Sequence, residues 1–180
     1  MNIVVIGFKG AGKSTLSPLL AEHMGYSFDD LDRRVMEKAS AELGERVEVR
    51  DAFRRLGAAS FREMECDLLA GTLEEDNLVL ALGGGAALDA AAPELLRASC
   101  VVYLRVPEAD LISRIECNGW PAYLDGESDP RGALRQLLKE RLPRYESLAD
   151  VIVDVSNSNT PAGGAELVYN CVQPWMEARR

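Results

Sequence analysis

The sequence has little that would tie it to a membrane, a metal cluster or a nucleic acid. Its longest apolar stretch, 77–92, is interrupted by glycines and Asp89 and falls short of the roughly 20 residues that a spanning helix needs. No basic start, apolar core and small-residue cleavage site opens the chain; a strand pattern begins at once, and the expectation is a cytoplasmic protein. Cys66, Cys100, Cys117 and Cys171 lie far apart without a C-x-x-C pair, which argues for unpaired thiols over a zinc or redox motif. An excess of basic charge is also missing. The formal net charge of -9 disfavours wrapping a nucleic-acid backbone, whose affinity comes from clustered Lys and Arg, and it makes any local gathering of arginines informative. There is no internal repeat, low-complexity tail, linker or heptad pattern, so one domain over 1–180, acting as a monomer, is expected.

What is present suffices for a folded core: 47% of the 180 residues are hydrophobic. Short apolar strands are expected at 2–6, 26–30, 78–82, 100–105 and 151–155. Helical spacing is expected over 13–24, 32–42, 51–73, 91–97, 108–116, 131–147 and 161–177. The segments 41–50 and 118–130 read as loops or mobile elements. This alternation predicts an α/β fold of three layers, α/β/α, around a central parallel sheet of about five strands, with ligands gathering at the carboxyl ends of the strands.

The strongest local signal follows the first strand. Gly7-Phe8-Lys9-Gly10-Ala11-Gly12-Lys13-Ser14-Thr15 matches the phosphate-binding loop G-x-x-x-x-G-K-S/T, preceded by a strand and followed by a helix. Glycines are needed there because the backbone must curl until several N–H groups point inward at phosphate oxygens. Lys13 is placed to reach the β and γ phosphates, Ser14 to offer its hydroxyl to Mg²⁺, and the helix amino end adds partial positive charge.

Four further groups are individually weaker. Phe28-Asp29-Asp30-Leu31-Asp32 follows the second strand. Its acids suit a hard cation or substrate hydroxyls, with Asp32 a candidate base, but acids at a helix start also serve as caps. Within Phe61-Arg62-Glu63-Met64-Glu65, Arg62 and Glu65 stand one helical turn apart and can pair. Gly83-Gly84-Gly85 ends an apolar strand and permits close approach of backbone to a ligand, or is a flexible turn. Arg141-Leu142-Pro143-Arg144-Tyr145 sits near the end of a helix, where an arginine before proline caps carbonyls or binds an acid.

Taken in order, these pieces resemble the shikimate kinase family, whose pattern runs from G-x-x-G-x-G-K-S-T through F-x-D-x-D, F-R-x-x-E and G-G-G to R-x-P-x-Y; the resemblance spans residues 2 to about 155. It implies a P-loop kinase with a mobile lid over about 116–130 and a substrate-binding region over about 32–65. The activity implied is transfer of the ATP γ-phosphoryl group to a hydroxyl of shikimate, with Mg²⁺ as cofactor. Position by position, it implies that Gly10, Ala11, Gly12, Lys13, Ser14, Thr15 and Arg114 meet the nucleotide. Ser14 and Asp30 would serve the metal, and Lys13 and Asp32 the catalysis. Asp32, Phe61, Arg62, Glu65, Gly83, Gly84, Gly85 and Arg141 would form the acceptor site, with the two arginines clamping a carboxylate.

Two stretches depart from the pattern. Where the family's lid has R-P-L-L, this chain has Trp120-Pro121-Ala122-Tyr123-Leu124, so the lid arginine is missing; Lys9 and Arg131 are the candidate replacements. After the last strand, where an arginine often faces the adenine, stands Ser156-Asn157-Ser158-Asn159-Thr160. The segment between Asp32 and Phe61 is also several residues longer than is typical. A kinase of the same fold for another small hydroxylated acid, and a nucleotide-binding relative with little turnover, are the alternative readings these departures leave open.

Overall fold

The structure is a computed structural model that describes residues 1–121, 124, 126–156, 158 and 160–179. Parts of the stretches at 120–124 and 156–160 therefore lie outside the described residues. In chain order the elements are β1 (Ile3–Ile6), α1 (Lys13–Met24), β2 (Ser27–Asp30), α2 (Leu31–Leu43), α3 (Val49–Leu56), α4 (Ala58–Thr72) and β3 (Leu78–Ala81). A 3₁₀ turn (Ala86–Leu88) and α5 (Ala92–Leu95) follow, then β4 (Cys100–Arg105), α6 (Glu108–Asn118), α7 (Pro130–Leu148), β5 (Val151–Asp154) and α8 (Pro161–Glu177).

Five strands pair in the order β2-β3-β1-β4-β5, all parallel. Every residue of β1 and β3 is buried, as expected of central strands covered on both faces. Their runs, Ile3-Val4-Val5-Ile6 and Leu78-Val79-Leu80-Ala81, are accordingly apolar without alternation. Helices α1 and α8 pack against each other, α1 over β2 and β3 and α8 over β4 and β5, while α7 covers β4 from beside the 3₁₀ turn. Because β1 lies between β3 and β4, the chain departs to either side of it, and a crevice opens at its carboxyl end. The loop after β1, the acids ending β2 and the glycines after β3 all emerge at that edge. Among the described residues no helix is long and apolar enough to cross a membrane.

The structure corrects the expected elements at two places. The single helix expected over 51–73 is two, α3 and α4, because Gly57 adopts φ 80°, ψ 160°, a backbone conformation that side-chain-bearing residues avoid. The loop expected over 41–50 is shorter. Helix α2 runs on to Leu43 and closes on Gly44 in the left-handed region, α3 starts at Val49, and the buried Val47 donates its N–H to Ser40 Oγ at 3.0 Å. The helix expected over 131–147 is present as α7, which passes through Pro143 to Leu148 and places Arg141 about two turns before its end. Pro143 is tolerated because it is exposed, so the carbonyl whose partner it removes can turn to water.

The conformation of Gly57 makes a measurable demand. Gly57→Ala meets no steric obstacle within 4 Å, so the strained backbone alone should lower the unfolding free energy by about 1–3 kcal/mol in urea titration.

Candidate active site

The site assembles at the carboxyl edge of β1, β2 and β3. After β1 the chain curls through Gly10 at φ 86° and Gly12 at φ 97°, both in the region that favours glycine. Gly12 is the N-cap of α1; no side chain caps that end, and its first turn carries no acid, which leaves the positive pole of the helix open to an anion. Lys13 lies back across the loop, donating from Nζ to the carbonyls of Gly7 at 2.8 Å and Phe8 at 3.1 Å. Burial lowers the Lys13 pKa from its ordinary value, with the charges of Asp32 and Asp30 opposing the shift.

The acids at the end of β2 divide by the strand's alternation. Asp29 points into the protein, where it accepts hydrogen bonds from Arg33 Nη2 at 2.7 Å and from Arg34 Nε, while Arg34 also pairs with Glu75 at 2.6 Å. Burial pushes Asp29 up, but the bonds from Arg34 and Arg33 outweigh it and hold the carboxyl below its ordinary range. Asp30 faces the site and does two jobs: Oδ1 caps α2 by accepting the Asp32 N–H at 3.0 Å, and Oδ2 accepts from Ser14 Oγ at 3.2 Å. The capping and metal readings of this cluster are thus compatible in one residue. Asp32 is raised from its ordinary value by burial and then by the Asp30 charge, against the pull of Lys13 and Arg62.

The glycine triplet draws the remaining groups together by what it lacks. A Cβ on Gly83 would lie 2.4 Å from Asp32 Oδ1, one on Gly85 2.7 Å from Arg62 Nη2, and one on Gly84 3.3 Å from the Tyr145 hydroxyl and 3.5 Å from the Gly7 carbonyl. Arg62 extends from α4, with its guanidinium carbon 5.7 Å from the Phe61 ring and 6.0 Å from that of Phe53, and forms an ion pair with Glu65. Glu65 is buried, and that burial raises its pKa from 4.5 to about 7 although Arg62 opposes the shift. Arg141 reaches the same edge from α7, its guanidinium carbon 5.8 Å from the ring of the buried Phe8.

Arg114 stands elsewhere. Its Nη1 donates to the Gly10 carbonyl at 2.9 Å on the α6 side of the loop. There it borders a cavity of about 230 Å³ whose wall includes Thr15, Val155, Ser158 and Pro161. The expected residues thus form two groups joined by the phosphate loop: Asp32, Phe61, Arg62, Glu65, Gly83, Gly84, Gly85 and Arg141 around the glycine triplet, and Arg114 with the cavity on the other side.

Tyr145, present in the R-x-P-x-Y motif but given no role of its own, and Phe53, in no motif, are the site residues that the sequence left unassigned. Tyr145 is buried, packs against Tyr103 with ring centroids 5.6 Å apart, and donates its hydroxyl to the Gly84 carbonyl at 2.7 Å. Its spacing four residues after Arg141, one helical turn on the same face, was the available signal. Phe53, 40% exposed, meets Phe61 edge-on at 5.3 Å from a segment with no motif of its own. Trp120, where the family pattern has arginine, is partly buried against the core. Arg131 is paired with Glu116 at 3.5 Å.

Glu65 should leave a signature in the pH dependence of stability. Its folded pKa of about 7 lies above the ordinary 4.5, so the contribution is complete below pH 4.5 and is lost as pH rises through 7. In urea unfolding, the native chain should lose stability relative to Glu65→Gln across that window, at no more than about 1.4 kcal/mol per pH unit; a difference independent of pH would refute the assignment.

The family model described as "Shikimate kinase" matches residues 9–174. A shikimate kinase from Nostoc punctiforme is 35% identical over 178 residues, covering 97% of this chain and 94% of that protein. One from Thermobifida fusca is 38% identical over 165 residues, covering 92% and 91%. Among solved structures, the shikimate kinase from Acinetobacter baumannii in complex with shikimate superposes with a TM-score of 0.80 at 31% identity, covering 99% of this chain and 94% of that one. A gluconokinase from Sinorhizobium meliloti, at 20% identity and a TM-score of 0.63, shares the fold alone.

Proposed function

Because the chain belongs to the shikimate kinase family, phosphotransferases with an alcohol acceptor, we propose that the two groups about its phosphate loop hold ATP and shikimate for transfer of the γ-phosphoryl group between them. The observation that carries this reading is the convergence of Asp32, Arg62 and the Tyr145-held backbone on the glycine triplet, one loop away from Lys13. The match to shikimate kinases over nearly the whole chain does not favour another acceptor or a relative without turnover.

The phosphate loop receives the triphosphate, its amides and the positive end of α1 facing the oxygens while Lys13 exchanges its backbone carbonyl partners for phosphate. Arg114 and the cavity beside it take the nucleoside end. Arg62, held by Glu65, and Arg141, resting on Phe8, grip the acceptor's carboxylate, for which the planar guanidinium is suited. Phe61 walls the same space. Asp32 orients the attacking hydroxyl and accepts its proton; burial and Asp30, which raise its pKa, make it a better base than an exposed carboxylate. The hydroxyl oxygen then bonds to the γ phosphorus as the bridging bond to ADP breaks. Little covalent help is required, so positioning and charge account for most of the acceleration.

Ser14 and Asp30 fit a magnesium ion. They offer hard oxygen donors 3.2 Å apart, and no cluster of three potential metal ligands exists among the described residues, which suits an ion that takes one or two protein oxygens and completes its shell with water and phosphate. When bound, it would neutralise charge on the β and γ phosphates. The segment 116–130, which runs from the last turn of α6 to the first residue of α7 and contains Gly119 and Gly126 at positive φ, would serve as the lid, and 32–65 as the acceptor-binding region. A cytoplasmic monomer acting on small molecules completes the reading.

A coupled assay of ADP release with MgATP tests it. Release should depend on shikimate. Asp32→Asn should lower kcat by about a hundredfold or more, and Arg141→Ala should raise the KM for shikimate by at least about tenfold, the loss of a charge-assisted pair. Calorimetric ATP binding without shikimate-dependent release would reject the acceptor.

A further inference from the structure

The segment between α6 and α7, which would close over the phosphates, has no positive charge to bring. Between Arg114 and Arg131 the chain contains Glu116, Asp125, Glu127 and Asp129 but no Lys or Arg. A transferring phosphoryl group spreads negative charge over three oxygens, and an acidic cover would oppose that charge. The compensating cation must therefore rise from the floor of the site.

The other cations of the site are committed. Lys13, on the Gly7 and Phe8 carbonyls at the root of the loop, is already assigned to the triphosphate that would take their place. Arg114 is bound to the Gly10 carbonyl on the nucleotide side. Arg62 is paired with Glu65, Arg131 with Glu116, and Arg141 lies over Phe8. Lys9 differs: it is exposed, and among the described residues no hydrogen bond or ion pair engages its ammonium. Its place is also distinctive. The Lys9 backbone nitrogen lies 4.0 Å from where a Cβ on Gly84 would stand, which puts residue 9 at the seam between the phosphate loop and the glycine triplet. Gly10, one residue on, already faces Arg114 and α6.

We propose that Lys9 is a catalytic residue whose ammonium meets the γ-phosphoryl oxygens during transfer, supplying from the phosphate loop the charge that the acidic 115–130 segment lacks. The assignment rests on the kinase reading above. A lysine suits the position, being a point charge on a flexible stem that can follow the phosphoryl group from donor to acceptor. Because its work is done on charge that develops in the transition state, its loss should fall on kcat and leave ground-state binding of the acceptor nearly untouched.

The experiment compares the native chain with Lys9→Met, Lys9→Ala and Lys9→Arg in the coupled assay, alongside calorimetric binding of MgADP with shikimate, in the presence and absence of aluminium fluoride as a mimic of the transferring group. The expected result is a fall in kcat of at least about tenfold for Lys9→Met and Lys9→Ala, with KM for shikimate changed by less than about threefold and activity largely kept in Lys9→Arg. The same two variants should lose the gain in affinity that aluminium fluoride confers while binding MgADP normally. Residue 9 is exposed, so thermal unfolding of all three should match the native chain. A near-native kcat in Lys9→Met with an active native chain would overturn the role of Lys9 alone; a native chain without shikimate-dependent release would overturn the kinase reading beneath it.

Discussion

The whole grouping around the glycine triplet depends on how closely the chain segments approach one another after β3, and that approach is possible only because Gly83, Gly84 and Gly85 carry no side chains. Each missing Cβ is replaced by a functional atom: an Asp32 oxygen over Gly83, the Arg62 guanidinium over Gly85, and the Tyr145 hydroxyl and Gly7 carbonyl beside Gly84. The triplet is itself held, since Tyr145 donates to the Gly84 carbonyl and Arg144, one residue before it, donates to Leu88 at the end of the following turn. Helix α7 thereby fixes the floor against which α2 and α4 present their charged groups. A methyl group at Gly83 or Gly85 would leave the core of the sheet unchanged and still push a charged side chain out of place.

Electrostatics explains how an acidic protein keeps a site for anions. Most positive groups at the edge are held by a local acceptor: Lys13 by loop carbonyls, Arg114 by Gly10, Arg62 by Glu65. The carbonyls orient Lys13 and Arg114 with only partial charge, while Glu65 holds Arg62 in an ion pair against the burial that raises the Glu65 pKa to about 7. Asp32 and Lys13 are driven in opposite senses. Burial and the Asp30 charge raise the pKa of Asp32, while burial lowers that of Lys13 against the pull of the same two carboxylates. Such opposed shifts in one small volume are what a site for phosphoryl transfer requires, where a cation must be ready for phosphate and a carboxylate for a proton.

The phosphate loop, the five strands and the family's ordered motifs were legible from residues alone because each depends on neighbours in sequence. A strand buried on both faces needs Ile3-Val4-Val5-Ile6, and a loop that curls before a helix needs Gly10 and Gly12. The break at Gly57 was less legible, since a lone glycine within helical spacing is compatible with a continuous helix until the packing of α3 on α4 turns the chain there. Asp29 shows the same limit. In sequence it is one of three acids beside a strand; only the direction of its side chain, inward to Arg33 and Arg34, separates it from Asp30 and Asp32.

By itself the sequence determined the fold class, the phosphate loop and the list of groups that could serve a kinase, because periodicity, glycine placement and motif order act locally along the chain. Tertiary structure alone decided which of those groups meet. It set Tyr145 beneath Gly84, Phe53 beside Arg62, Arg114 across the loop from the glycine triplet, and Lys9 at the seam between the two halves. The reason is physical: these contacts join residues tens of positions apart, and their distances follow from parallel strand order and helix packing, which no local pattern of residue types specifies.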